Sequence, residues 1–309
     1  MKKAIVTGAS GFVGAAVCRE LVEQGVEVTA VARHRNERIA DIKKEQEIRI
    51  VYNDLSDASL FADIIADRDI DVFYHFAWAG SAGLLRGDAK VQMDNVRCAC
   101  NAVKACAAVG CKRFVFASSI MEYEMEAIMA LETEPGINTL YCIAKTAANH
   151  MARTVAGSLG IDYIRAVISN IYGPGEMSPR LVNTSLRKML DGEHCSFTAG
   201  DQMYDFIYIT DAAKAIAAIG EMGRSNKTYY VGSQNPRPLK EFLITMRDCV
   251  DPGIKIGLGE VPFKGVSLTY REFDIDSVKN DTGFVPTVSF TEGIQNTIAW
   301  LRRNGSVRL

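Results

Sequence analysis

Residues 3–17 read "KAIVTGASGFVGAAV": a short apolar run breaks at a turn carrying Gly8, Gly11 and Gly14, and a helical pattern begins at Phe12. From Phe12 to Gln24 the residues Val13, Val17, Leu21 and Val22 share one helix face. Glycine allows a tight turn and a close backbone approach to phosphate, while the helix N-terminus presents N–H groups with no partner of their own. Strand, glycine turn and helix in that order constrain the chain to an α/β unit. Its first turn suits the phosphates of a dinucleotide, with Gly8, Gly11, Phe12, Val13 and Gly14 as the cofactor-binding residues. The GxxGxxG spacing is one residue wider than GxGxxG, and a glycine triplet alone is a weak signal.

The alternation continues. "VEVTAVA", "IRIVYND", "DVFYHFAWA", "RFVFASS" and "DYIRAVISNIYG" read as strands. Helical patterns lie between them around "SLFADIIADR", from about Lys90 to Val109, and near Tyr141–Leu159. Such βαβ units predict a doubly wound, Rossmann-type parallel sheet with helices on both faces. After about Gly173 the alternation weakens at "YGPGEMSPR". Later segments are mixed: a strand-like "DFIYI", the helix "TDAAKAIAAIGEM", the strand "KTYYVG" and a closing helix "FTEGIQNTIAWLRRNG". We expect a dinucleotide-binding domain over 1–172, rejoined by the chain around 205–232. A smaller C-terminal α/β substrate-binding domain is expected over 173–204 and 233–309. No repeats or low-complexity segments occur.

Composition adds exclusions. Net charge is −2, so nothing points to nucleic acid or an anionic membrane. No apolar run approaches the roughly 20 residues of a membrane span, and the start "MKKAIVTG" enters a strand directly. A cytoplasmic protein is expected. The eight cysteines form no CxxC pair and the four histidines show no ligand spacing. Reduced, buried thiols and no metal site are therefore expected.

Further segments follow in a specific order and spacing: "YNDLSD", "YHFAWAG", "DNV", "RFVFASS", "YCIAK", "SNIYGPG", "YDFIYITDAAKAI" and "FTEGIQNTIAWLR". With the wide glycine turn, they make the chain resemble the extended short-chain dehydrogenase/reductase family, also called the NAD-dependent epimerase/dehydratase family. The resemblance implies a doubly wound sheet, a bound nicotinamide dinucleotide and, usually, a nucleotide-sugar substrate. It also implies a homodimer through the helices around 90–109 and 141–158, which are rich in alanine and cysteine.

Cofactor choice is read at the end of the second strand, where a carboxylate suits NAD and a basic residue suits the 2′-phosphate of NADP. Here Ala32 is followed by Arg33 and Arg35, and the acidic residue Glu27 stands at the strand's beginning. NADP(H) is therefore favoured over NAD(H), the alternative being a solvated basic loop. Asp54 matches the family position for the adenine amine, or is a turn residue or helix cap. Leu55 and Ala77 are the other cofactor contacts that the resemblance implies.

Tyr141 and Lys145 stand one helical turn apart on the same face. A nearby ammonium favours the phenolate, which would let Tyr141 exchange a proton with a sugar hydroxyl or ketone. By resemblance Lys145 also bonds the nicotinamide ribose. Ser119 aligns with the family's Ser/Thr at the reacting oxygen, though a turn or capping serine is the plain alternative. Asn95 matches an asparagine that is usually structural. The family's 4,6-dehydratases carry an acid–base pair immediately after the Ser/Thr. Here those positions are Ile120 and Met121, which disfavours dehydration.

Two oxidoreductase outcomes stay open: NADPH-dependent reduction of a keto-sugar, and epimerisation with tightly held NAD(P)⁺. A dinucleotide-sensing protein without turnover is a third, which the joint presence of Tyr141 and Lys145 argues against. Trp78, Ser119, Glu122, Asn170 and Arg180 are the candidate substrate contacts, with the glutamates after Ser119 expected in a loop. Tyr204 stands where many members carry an arginine for the diphosphate. Either Arg237 or Arg271 replaces it, or the substrate departs from a conventional nucleotide sugar.

Overall fold

The computed structural model describes residues 1–34, 48–57, 61–65, 67–130, 136–137 and 139–304. Six strands of the first half are β1 (Lys3–Thr7), β2 (Glu27–Ala32), β3 (Ile48–Tyr52), β4 (Val72–His75), β5 (Arg113–Ser119) and β6 (Asp162–Ile168). Shorter strands follow: β7 (Asn170–Tyr172), β8 (Cys195–Phe197), β9 (Met203–Tyr204), β10 (Phe206–Tyr208), β11 (Thr228–Val231), β12 (Arg237–Pro238) and β13 (Ile256–Leu258). The main sheet runs β3-β2-β1-β4-β5-β6-β11, and every neighbouring pair in it is parallel. Strand order reverses between β1 and β4, which opens a crevice at the carboxyl ends of the strands. This is the Rossmann-type α/β fold expected from the alternation.

The two faces of β1 explain the layering. Ala4 and Val6 join a core with Val17 and Leu21 of the helix Phe12–Glu23 and Ile216 and Ile219 of the helix Ile209–Met222. Ile5 enters a second core with Phe73, Phe114, Val103 and Ala148, beneath the helices Ala89–Ala108 and Thr139–Ser158. A period of two along the strand thus serves two helical layers. In the second core the rings of Phe61, Phe73, Phe114 and Tyr163 form a row with centroids 5.8, 5.5 and 5.9 Å apart. Burying each contributes on the order of 2 kcal/mol.

Two elements differ from expectation. "DYIRAVISNIYG" is two strands, because its backbone changes neighbours at Ser169. Ser169 N donates to Val231 O at 2.9 Å, and Asn170 N donates to Asp205 O at 3.2 Å. The chain therefore leaves the main sheet and β7 pairs with β10. The glutamates after Ser119 are not in a loop. They lie in the helix Met121–Ala130, with Glu122 and Glu124 in its first turn, where negative charge complements the helix dipole.

All eight cysteines are free thiols. Among the described residues no helix is long and apolar enough to cross a membrane, and no cluster of His, Cys, Asp or Glu is placed to hold a metal ion.

Candidate active site

The glycine turn lies in the crevice between β1 and β4. Gly8 has φ +71°, and a Cβ there would stand 2.5 Å from Ala77 N. A Cβ on Gly14 would stand 2.4 Å from Gly8 O, so only glycine lets the first helical turn press onto the loop. Gly11 caps the helix without a side-chain bond, leaving first-turn N–H groups available to an anion.

Three adjoining cavities lie over the carboxyl ends of the strands. The first, about 330 Å³, is lined by Gly8, Gly11, Arg33, Asp54, Leu55 and Ala77, with Asn53, His34 and Trp78. The second, about 450 Å³, is lined by Phe12, Val13, Gly14, Ser119, Tyr141 and Lys145 and shares Gly8, Gly11 and Trp78 with the first. The third, about 480 Å³, holds Asn170, Arg180, Tyr204 and Arg86, and shares Ser119, Tyr141 and Glu176 with the second. An extended dinucleotide fits the first two. Their glycine cradle has no room for a Cβ, and the buried Asn53 Oδ1 has no partner among the described residues. Asp54 lines the wall and also accepts a bond from Ser56 N at 2.9 Å, so it is a turn residue as well. Arg33 is exposed at the rim, and Arg35 lies outside the described residues.

Ser119, Tyr141 and Lys145 converge in the second cavity, all buried. Lys145 Nζ donates to Ala117 O at 2.8 Å and lies 3.8 Å from the Trp78 ring centroid. Burial lowers its pKa to about 7, opposed by Glu122 and assisted by Arg180. Burial raises the Tyr141 phenol, against the pull of a Ser119 hydrogen bond, Arg180 and Arg86. Two arginines thus act on Tyr141, which helical spacing to Lys145 does not reveal. Asn95 is structural: it brackets Ala79, accepting from its N–H at 2.9 Å and donating to its carbonyl at 2.8 Å.

Not every candidate substrate contact lines the third cavity. Glu122 lines none of the three cavities; it is buried behind Ser119 in an ion pair with Arg165 at 2.7 Å. The helix starting at Met121 turns its side chain inward, toward Arg165. Trp78 lines the first and second cavities and covers Lys145. Neither Arg237 nor Arg271 lines the third cavity beside Tyr204. Arg237 stacks on Phe242 at 4.2 Å, and Arg271 is exposed.

A basic residue that does enter, beside Arg180, is Arg86, from the 3-10 turn Leu84–Gly87, with its guanidinium 4.6 Å from the Tyr141 ring centroid. Only its place in "AGLLRGD", after the fourth strand, hinted at this. Asn170 and Arg180 do line the third cavity, and Arg180 pairs with the buried Glu176 at 3.6 Å. Glu176 was not singled out in the sequence because nothing in "YGPGEMSPR" separates a buried carboxylate from a turn residue.

Known proteins share this architecture. The UDP-glucose 4-epimerase of Thermotoga maritima, solved with UDP-glucose, superposes with a TM-score of 0.81 at 20% identity, over 98% of this chain and 100% of that one. The UDP-glucuronic acid 4-epimerase of Bacillus cereus, solved with NAD, gives 0.78 at 18% identity, over 98% and 99%. In sequence, the dTDP-glucose 4,6-dehydratase 1 of Escherichia coli K12 is 24% identical over 98% of this chain and 93% of its own. The profile of the NAD dependent epimerase/dehydratase family matches residues 4–232, and the chain belongs to that family.

Proposed function

We propose that this protein is an NADP(H)-linked oxidoreductase that reduces a keto group on a nucleotide-activated sugar, with Tyr141 as proton donor. Arg33 carries the cofactor reading: it lines the first cavity at the end of β2, where no Asp or Glu stands. A guanidinium there suits the 2′-phosphate of NADP.

A nicotinamide dinucleotide held by the glycine turn would supply the hydride for the substrate carbon. Burial raises Tyr141, so the phenol keeps its proton at neutral pH and is ready to give it to the reduced oxygen. Ser119 holds that oxygen by a hydrogen bond. Lys145, fixed by Ala117 O, stands where a ribose hydroxyl can reach it. Asn170, Arg180 and Arg86 line the third cavity and offer an amide and two guanidiniums to a diphosphate. Ile120 and Met121 line the same cavity and neither transfers a proton, which argues against elimination of water although curated relatives include dehydratases.

Epimerisation is the second reading, supported by fold neighbours that are 4-epimerases, one of them solved with NAD. Native mass spectrometry of the purified protein separates the two. Protein that takes up added NADPH in preference to NADH supports reduction, and protein that carries oxidised dinucleotide through purification supports epimerisation. Protein that binds neither dinucleotide would contradict both.

A further inference from the structure

The loop from Trp78 to Gly87 carries two groups that face the catalytic side chains. The Trp78 ring centroid lies 3.8 Å from Lys145 Nζ, and the Arg86 guanidinium lies 4.6 Å from the Tyr141 ring centroid. Both ends of this loop are held by one side chain of the helix Ala89–Ala108, Gln92, which is 2% exposed. Its Oε1 accepts from Trp78 Nε1 at 3.2 Å, and its Nε2 donates to Gly80 O at 3.1 Å and Leu85 O at 3.0 Å. Asn95 Nδ2, one turn further along the helix, donates to the same Oε1 at 3.3 Å. An indole N–H can only donate and a carbonyl can only accept, so a single orientation of the amide serves them all. Two bonds accepted and two donated leave this buried carboxamide fully satisfied. Gly80 permits the pinch between the two carbonyls: its φ is +68°, and a Cβ there would stand 2.6 Å from Leu85 O.

We propose that Gln92 is a positioning residue that fixes the Trp78 ring over Lys145 and holds the turn Leu84–Gly87, with Arg86, beside Tyr141. The role rests on the reading that Tyr141 and Lys145 act in catalysis. Gln92 lines none of the three cavities, so it acts through Trp78 and Arg86. Its two ends do separate work. The amide oxygen anchors the ring that walls the cofactor cavities, and the amide nitrogen closes the loop whose last turn sends Arg86 into the third cavity. An apolar side chain of similar length would leave the indole N–H and both carbonyls without this partner. A carboxylate would keep the acceptor and lose the donor.

The test uses the two tryptophans of the chain, Trp78 and Trp300: in a Trp300→Phe protein, fluorescence reports Trp78 alone. Removing the ammonium by Lys145→Met should shift the Trp78 emission in that background. In Gln92→Met the ring is released, and the shift caused by Lys145→Met should be largely lost. Hydrogen exchange of residues 82–88 in the full chain, read by mass spectrometry, should quicken about tenfold in the same variant. At pH 8, Gln92→Glu keeps the acceptor for Trp78 and turns the donor that faces Gly80 O and Leu85 O into an acceptor. There the emission shift should persist while exchange still quickens, and this variant carries the test if Gln92→Met does not fold. Three results overturn the proposal: no shift on Lys145→Met with Gln92 in place, an equal shift in Gln92→Met, or unchanged exchange in the folded variants. Neither readout uses cofactor or substrate, so the proposal fails separately from any test of turnover.

Discussion

Lys145 lies with its ammonium 3.8 Å from the centre of the Trp78 ring, shut away from water by the residue that also walls the cofactor cavities. The ring face attracts the cation, but desolvation is the larger effect and lowers its pKa from 10.5 to about 7. The folded pKa lies below the unfolded one. Between about 7 and 10.5 the unfolded chain therefore holds the extra proton, and stability rises with pH across that window. Relative to Lys145→Met, the wild type should be least stable near pH 6, with the gap narrowing by pH 9. Thermal melts of both proteins at the two pH values check this; a gap independent of pH would contradict it.

Arg33 should discriminate between cofactors. A charge-assisted bond to phosphate contributes roughly 1.5–3 kcal/mol, so Arg33→Ala should weaken NADPH binding by about 10- to 100-fold. NADH affinity should stay nearly unchanged. Calorimetric titration with each cofactor reads the difference, and equal losses for both would rule out a 2′-phosphate contact.

Gly8→Ala tests the cradle. The added methyl group meets Ala77 N, and the φ of +71° is strained for alanine. We expect a loss of about 2 kcal/mol in stability, measured by urea unfolding, together with weaker dinucleotide binding.

The helices Ala89–Ala108 and Thr139–Ser158 pack together and leave Met93, Ile143 and Met151 exposed. Such apolar exposure fits an interface with a second copy. The protein should run as a dimer at micromolar concentration, and Ile143→Glu with Met151→Glu should make it monomeric. Light scattering that finds wild-type monomer would reject this.

What was legible in the sequence followed local physics. Gly8 and Gly14 announced a turn with no room for a side chain, and the alternation around Ile5 and Phe114 announced a parallel sheet between helices. The Tyr141–Lys145 spacing brought both residues to the cavity containing Ser119. What was not legible depended on long-range placement. Arg86 reaches Tyr141 across 55 residues of sequence. Glu122, a candidate substrate contact in a loop by sequence, completes with Ser119 a Ser-x-x-Glu pattern that is a helix-start signal. That pattern turns the carboxylate toward Arg165, which no local rule could locate.

The account stands most directly on Tyr141. With NADPH and a nucleotide-activated keto-sugar, the wild type should oxidise the cofactor at a measurable rate. Tyr141→Phe should lower that rate by about 10²- to 10⁴-fold, the usual share of a general acid, while NADPH affinity stays the same. A Tyr141→Phe protein that turns over at the wild-type rate would contradict the central claim.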